Sequence, residues 1–187
     1  MREHNLDGTT TDLFPVDPST ERLLALLREI FETHWRDVIF GSCIEGAVFE
    51  ARFTAAPRIT VLDGYVTVAA DATQPWHLHL CIGPHKGSRT RPTPPALAAW
   101  RRCTRAAFFR DRDRAGEQMT WGFRMWNGRD EQMITAFFPN PWLDPETMRP
   151  RRTADWACLA TWMKLRERYA GILAEAPPVA TKPPAMH

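Results

Sequence analysis

Residues 59–68 read Ile-Thr-Val-Leu-Asp-Gly-Tyr-Val-Thr-Val, which places two short strand-forming runs on either side of Asp63-Gly64. β-Branched and aromatic residues favour strands. Asp-Gly supplies the two residues with positive φ that a type I′ turn requires. This stretch therefore predicts a tight antiparallel hairpin, and its direction of pairing points to an antiparallel sheet.

A second hairpin signal is Asn127-Gly128, which separates the strand-like segments 120–126 and 129–138. A two-residue type I′ loop would give Gly128 a positive φ and would pair Trp126 with Arg129 and Arg124 with Glu131. That register predicts one buried face, formed by Trp121, Phe123, Met125 and Ile134.

Three further segments have helix signals. Asp17-Pro18 predicts the start of a helix that runs to about Asp37, because it combines an N-cap residue with a first-turn proline. Three prolines at 92, 94 and 95 introduce a second predicted helix that runs to about Arg110. Thr153 is the predicted N-cap of a third helix, which extends toward Gly171.

Strand-like runs at 48–53 and 76–82 complete the element order. Consecutive hairpins with intervening helices predict an α+β fold, a mainly antiparallel sheet of about six strands with three helices packed on it. The 187 residues are most simply one domain. We expect an irregular segment at 1–16, a single α+β domain at 17–173 and a disordered Pro/Ala-rich tail at 174–187.

Composition narrows the functional classes. No run is apolar enough to cross a bilayer, and the first residues lack the apolar core of a signal peptide. Four widely spaced cysteines without a Cys-x-x-Cys pair predict reduced thiols and a cytoplasmic protein. The net charge of +2 makes nucleic acid an improbable partner, and the oligomeric state is left open.

Basic residues are nevertheless concentrated in one region. Residues 86–114 contain nine basic and two acidic side chains. Such a cluster favours a small anionic ligand, although a solvated helix face with a basic loop explains it equally well. Within the cluster, Arg89 and Arg91 lie in a proline-flanked loop and are the predicted contacts for a carboxylate or phosphate.

The segment most indicative of function is 76–85, Trp-His-Leu-His-Leu-Cys-Ile-Gly-Pro-His. Side chains alternate between the two faces of a strand. The alternation therefore puts the large apolar residues on one face and His77, His79 and Cys81 on the other. His85 follows just after the Gly-Pro turn.

This grouping favours metal binding. His77 and Cys81 lie roughly 13 Å apart along an extended strand, whereas neighbours at i and i+2 can converge on one ion. The predicted ligands are His77, His79 and His85, completed by a remote residue from His34, Glu45 or Glu50. Zinc or iron suits imidazole ligands, and copper is an alternative. The leading hypothesis is a small metal-dependent enzyme that acts on a small anionic molecule.

Three alternatives remain open. The run His-Leu-His-Leu-Cys-Ile-Gly at 77–83 resembles the histidine-triad signature, His-φ-His-φ-His-φ-φ with φ apolar. The resemblance implies a nucleotide hydrolase or transferase with His79 as nucleophile and His77 as its neighbour, and Cys81 stands where that family has its third histidine. Alternatively, Cys81 is itself a nucleophile activated by an adjacent imidazole. A non-catalytic protein could instead dock a partner through exposed apolar residues at 139–143.

Overall fold

The computed structural model describes residues 1–44, 46–70 and 76–173. These residues form an α+β fold with sheets of seven, three and two strands and with three α-helices. The predicted class and its mainly antiparallel pairing are confirmed. The number of strands exceeds the expected six, because strands also form in four regions that were not predicted as strands, at 2–16, 39–44, 87–92 and 103–112.

The seven-stranded sheet consists of β1 (Arg2–His4), β2 (Thr10–Val16), β3 (Ile39–Ile44), β4 (Ala47–Ala51), β10 (Cys103–Arg112), β11 (Gln118–Asn127) and β12 (Gln132–Phe137). Its strand order is β1-β2-β10-β11-β12-β3-β4. The expectation of an irregular segment at 1–16 is wrong. β2 lies between β1 and β10 and buries Leu13, Phe14 and Val16, so this segment contributes to the core.

The three-stranded sheet consists of β5 (Arg58–Leu62), β6 (Tyr65–Ala69) and β7 (His77–Cys81), in that order. The predicted hairpin at 59–68 is confirmed. Leu62 pairs with Tyr65 across the turn, and Asp63 and Gly64 have φ values of 47° and 80°. A separate two-stranded sheet pairs β8 (Gly87–Ser88) with β9 (Arg91–Pro92).

The first predicted helix is confirmed in position but not in its full α-helical length. The α-helix α1 (Thr20–Arg28) is followed by a π-helical turn, Glu29–Thr33, and a 3-10 turn, Trp35–Asp37. The carboxylate of Asp17 accepts hydrogen bonds from the backbone and hydroxyl groups of Ser19 just before the helix. The inward face of this helical region is buried and consists of Leu23, Leu26, Leu27, Ile30 and Phe31.

The second predicted helix is much shorter than expected. The helix α2 (Pro95–Arg101) ends where β10 begins, so the predicted extension to Arg110 is wrong. Residues 106–110 of β10 are buried without interruption. A strand that is covered on both faces loses the period of two and cannot be distinguished by periodicity from a buried helix. Cys103, the first residue of β10, is buried.

The third helix, α3 (Ala160–Ala170), is preceded by a 3-10 turn, Trp156–Leu159. The helical region thus starts after Asp155 rather than at Thr153. Gly171 ends α3 in the left-handed conformation, with a φ of 69°. The expected disordered tail at 174–187 lies outside the described residues.

The register of the β11–β12 hairpin differs from the predicted register. The Asn127 N–H donates to the Glu131 carbonyl, and the Asp130 N–H donates to the Asn127 carbonyl. This is a three-residue loop with Asp130 in the left-handed region at a φ of 60°. The predicted pairing of Trp126 with Arg129 is therefore wrong. The predicted buried face is correct, since Trp121, Phe123, Met125 and Ile134 are all buried.

Two local interactions account for the longer loop. The side-chain oxygen of Asn127 accepts hydrogen bonds from the backbone N–H groups of Arg129 and Glu131. The Gly128 N–H donates to the carbonyl of Trp100 at 2.9 Å. Gly128 does not have the predicted positive φ. A Cβ atom at this position would instead lie 2.2 Å from the carbonyl oxygen of Ala99, so close packing against α2 requires the glycine.

The chain divides into two compact units. One comprises Met1–Pro15, Ala107–Phe123 and the described residues from Phe137 onward, and the other comprises Val16–Ala106 and Arg124–Ala136. In the first unit, Trp142 is buried and its ring packs edge-on against Trp156. The expectation of an exposed apolar surface at 139–143 is wrong for this reason.

The described residues bear on the expectations about membrane spans and about the state of the cysteines. None of the helices in the described ranges is long and apolar enough to cross a membrane. All four cysteines, at positions 43, 81, 103 and 158, are free thiols.

The contact at Gly128 generates a stability prediction. Gly128→Ala should lower the free energy of unfolding by about 1–3 kcal/mol, because the added methyl group must displace the backbone at the end of α2. Gly116→Ala measures backbone strain without a packing contact, since a Cβ there meets nothing within 4 Å but its φ of 85° is unfavourable for any side chain. Urea denaturation of both variants measures the difference. A loss below about 0.5 kcal/mol for Gly128→Ala, the size usual for uninvolved surface positions, would contradict the packing explanation.

Candidate functional site

The site predicted at 76–85 lies on the three-stranded sheet, where β6 fixes the orientation of β7. Ala69, Thr67 and Tyr65 of β6 pair with His77, His79 and Cys81 of β7, respectively. Directly paired residues project from the same face of a sheet. The opposite face carries Val66, Val68 and Leu80, which are buried. The predicted division of the two faces is confirmed.

His77 and His79 form an exposed imidazole pair on the outer face. Their ring centroids are 4.6 Å apart, with the ring planes at 75° to each other. The Nδ1 atom of His79 lies 2.8 Å from the hydroxyl oxygen of Thr67. This hydrogen bond orients the imidazole and leaves its Nε2 atom available to a ligand.

Cys81 has a different environment from the two histidines, although it shares their face. It is buried, and its Sγ atom lies 3.6 Å from the carbonyl oxygen of Gly83. Burial raises the pKa of the Cys81 thiol, while a hydrogen bond from Tyr65 and the charges of Arg101 and Arg102 oppose that increase. The net direction is upward, so neutral pH favours the thiol over the nucleophilic thiolate.

His85 belongs to a second group of polar residues, at the end of β7. Its Nδ1 atom lies 2.9 Å from a carboxylate oxygen of Asp63, and its Nε2 atom lies 3.3 Å from Nη1 of Arg101. The ring of Tyr65 packs edge-on against the imidazole at a centroid distance of 5.0 Å. Both ring nitrogens of His85 therefore have protein partners, unlike Nε2 of His79.

Asp63 anchors the loop that carries His85. Its carboxylate accepts hydrogen bonds from the backbone N–H groups of Lys86 and Gly87, each at 2.8 Å. These two bonds hold the pKa of the Asp63 carboxyl group below its usual range, and the contact with His85 acts in the same direction. The carboxylate is consequently ionised at neutral pH and serves as an acceptor for all three groups.

The adjoining glycine completes this anchor. The carbonyl of Gly64 accepts hydrogen bonds from the N–H groups of Ile82 and Gly83, both at 2.9 Å. A Cβ atom at Gly64 would lie 2.4 Å from the carbonyl oxygen of Pro84. The turn between β5 and β6 thus packs directly against the chain that leaves β7, and its geometry leaves no room for a side chain.

The remaining predicted residues are not brought to the imidazole pair. Arg89 and Arg91 are exposed near the turn of the small β8–β9 hairpin. The Nδ1 atom of His34 lies 3.6 Å from a carboxylate oxygen of Asp37, three residues later in the chain. Glu50 is exposed on β4 of the larger sheet, and Glu45 lies outside the described residues. In the described ranges, no group of three histidine, cysteine or acidic residues could hold a metal ion.

Four residues of the site were not identified from the sequence, namely Asp63, Tyr65, Thr67 and Arg101. Asp63 was recognised only as a turn residue. Tyr65 and Thr67 could have been found by pairing β6 antiparallel to β7 and by reading across that register. Arg101 had no comparable signal, because its position depends on the early end of α2.

The chain belongs to a family of unknown function, DUF7676, whose family model matches residues 1–171. The fold is also similar to the crystal structure of protein AGR_C_4470 from Agrobacterium tumefaciens, with a TM-score of 0.51 and 15% sequence identity. That alignment covers 88% of this chain and 73% of the other. At this identity the similarity concerns the fold alone. None of the curated proteins matches this chain.

The environment of Cys81 generates a prediction about thiol reactivity. Iodoacetamide should modify Cys81 roughly tenfold or more slowly than free cysteine at pH 7.5, because the buried thiol is reached only after local opening. Cys43, which is only partly buried, is the internal control and should react first. Peptide mass spectrometry over time distinguishes the two sites. Preferential labelling of Cys81 would instead support the hypothesis that it is an activated nucleophile.

Proposed function

We propose that His77 and His79 bind a divalent transition-metal ion, zinc or iron in the first place and copper as an alternative. The observation that carries this proposal is the hydrogen bond between Thr67 and Nδ1 of His79. Metal-binding histidines commonly have their second ring nitrogen held by a neighbouring group, which fixes the tautomer and the ring orientation. With Thr67 as acceptor, the lone pair of His79 is on Nε2, where a metal ion can bind.

The pair supplies two ligands rather than the three that are usual for a catalytic zinc ion. His85 is left out of this ligand set because Asp63 and Arg101 occupy both of its ring nitrogens. A metal ion held by two imidazoles has several coordination positions open to water or to an oxygen atom of a ligand. We therefore propose that a small anionic molecule completes the coordination and is the substrate or ligand of the bound ion.

The histidine-triad-like alternative uses the same available nitrogen. His79, oriented by Thr67, would attack the α-phosphorus of a nucleotide through Nε2, with His77 beside it, and the bond from phosphorus to the leaving group would break. Water would then release the nucleotide from His79. The position of the third histidine is occupied by Cys81, which is buried and has a raised pKa. This alternative requires no metal, so it can be separated from the leading proposal by a chelator. The four free thiols support a cytoplasmic setting for either activity.

The leading proposal predicts metal binding that depends on the imidazole pair. Tag-free protein should bind zinc in calorimetric titrations, and His79→Ala should abolish saturable binding. Thr67→Val should weaken binding by about 10-fold, since it removes the group that orients His79. His4→Ala is the matched control, because His4 is an exposed histidine on β1. Affinity should fall as the pH decreases toward about 6, because only neutral imidazole binds metal.

Two results would decide against this proposal. Equal zinc affinity in His79→Ala and in the unmodified protein would place the metal elsewhere. Hydrolysis of a nucleoside phosphoramidate in the presence of a chelator, lost in His79→Ala, would establish the histidine-triad-like alternative.

A further inference from the structure

We infer that Arg101 binds an oxyanion, a carboxylate or a phosphate group, at a site separate from the imidazole pair. The site lies where the last residue of α2 meets the loop after β7. Asp63 and His85 do not contact the ligand in this proposal and are positioning residues for the guanidinium group. The inference does not depend on metal binding by His77 and His79.

The first argument is the partner that Arg101 has. Its Nη1 atom lies 3.3 Å from Nε2 of His85, and in the described ranges Arg101 forms no ion pair with a carboxylate. The other arginines of the 86–114 cluster include several that do, such as Arg105 with Asp130 and Arg112 with Asp12. An imidazole nitrogen does not compensate the charge of a guanidinium group. Arg101 therefore has an unneutralised positive charge at an exposed position.

The second argument is orientation. The ionised carboxylate of Asp63 can only accept a hydrogen bond, so the Nδ1 atom of His85 is the donor in their 2.9 Å contact. In the neutral imidazole, Nε2 is then the acceptor for Arg101. This chain of hydrogen bonds holds the guanidinium group through one N–H. The other N–H groups of the planar fork are left for two parallel hydrogen bonds to a carboxylate or phosphate.

The third argument is the charge of the surroundings. Arg102 follows Arg101 directly, and both charges are close enough to Cys81 to oppose the rise of its pKa. Lys86 is exposed on the loop that Asp63 anchors. The carboxylate of Asp63 already accepts hydrogen bonds from two backbone N–H groups and from His85. The local excess of positive charge selects an anion over a cation.

The inference can be tested by titrating the full chain with inorganic phosphate and, separately, with acetate, in buffer that contains a chelator without carboxylate groups, such as 1,10-phenanthroline. Calorimetry or chemical-shift changes should show saturable binding to the unmodified protein. Arg101→Met should weaken it by about 10-fold or more, the amount expected when a charge-assisted hydrogen bond is lost. Arg28→Met is the matched control, since Arg28 is an exposed arginine in the last turn of α1. Saturation by phosphate alone or by acetate alone identifies which of the two groups the site selects.

The positioning role has its own readout. His85→Ala should weaken binding of the anion, and His85→Gln should recover part of the loss, because its amide oxygen can accept a hydrogen bond from Arg101. Circular dichroism and thermal melting establish that each variant is folded, and Arg101→Gln replaces Arg101→Met if the latter is not. Lack of saturable binding of both anions, or equal weakening by Arg28→Met and Arg101→Met, would overturn the inference. Because a chelator is present, failure of this test leaves the metal proposal unaffected.

Discussion

The carboxylate of Asp63 is the constraint on which the rest of the site depends. It sits in the turn between β5 and β6 but bonds to residues more than twenty positions later in the chain, at His85, Lys86 and Gly87. A left-handed φ at Asp63 and the absence of a side chain at Gly64 allow this close approach. A single turn thus serves as a hairpin connection and as the support of a loop, and His85 of that loop contacts Arg101 at the end of α2.

The outer face of the three-stranded sheet is determined by what lies on the inner face. Burial of Val66, Val68 and Leu80 sets the alternation, and a shift of one residue would turn the imidazoles toward the core and expose the aliphatic side chains. The positions of His77 and His79 are consequently set by the packing of the inner face, to which their own side chains contribute little. Substitutions of His77 or His79 are therefore expected to have little effect on folding.

Sequence patterns were sufficient where one local rule decided the structure. Asp63-Gly64 fixed a turn, and the alternation in 77–81 separated two faces. They were insufficient where distant contacts decided it. β10 lost its period because both its faces are covered, and the loop at Asn127-Gly128 was lengthened by the Asn127 side chain and by contact with α2. The importance of Arg101 could not be foreseen for the same reason, since its partner His85 is reached only through tertiary structure.

The strand order also has a consequence for the time course of folding. β5, β6 and β7 are consecutive in sequence and in the sheet. In contrast, β2 pairs with β10, which begins only at Cys103. Contacts between nearby residues form faster than contacts that close long loops. On a ribosome, the sheet that carries the histidines can be complete while Leu13 and Phe14 of β2 still lack β10, one of the two strands that flank β2. β2 is therefore a segment that needs protection from aggregation during synthesis, and pulse-labelling hydrogen exchange would detect its late acquisition of protection.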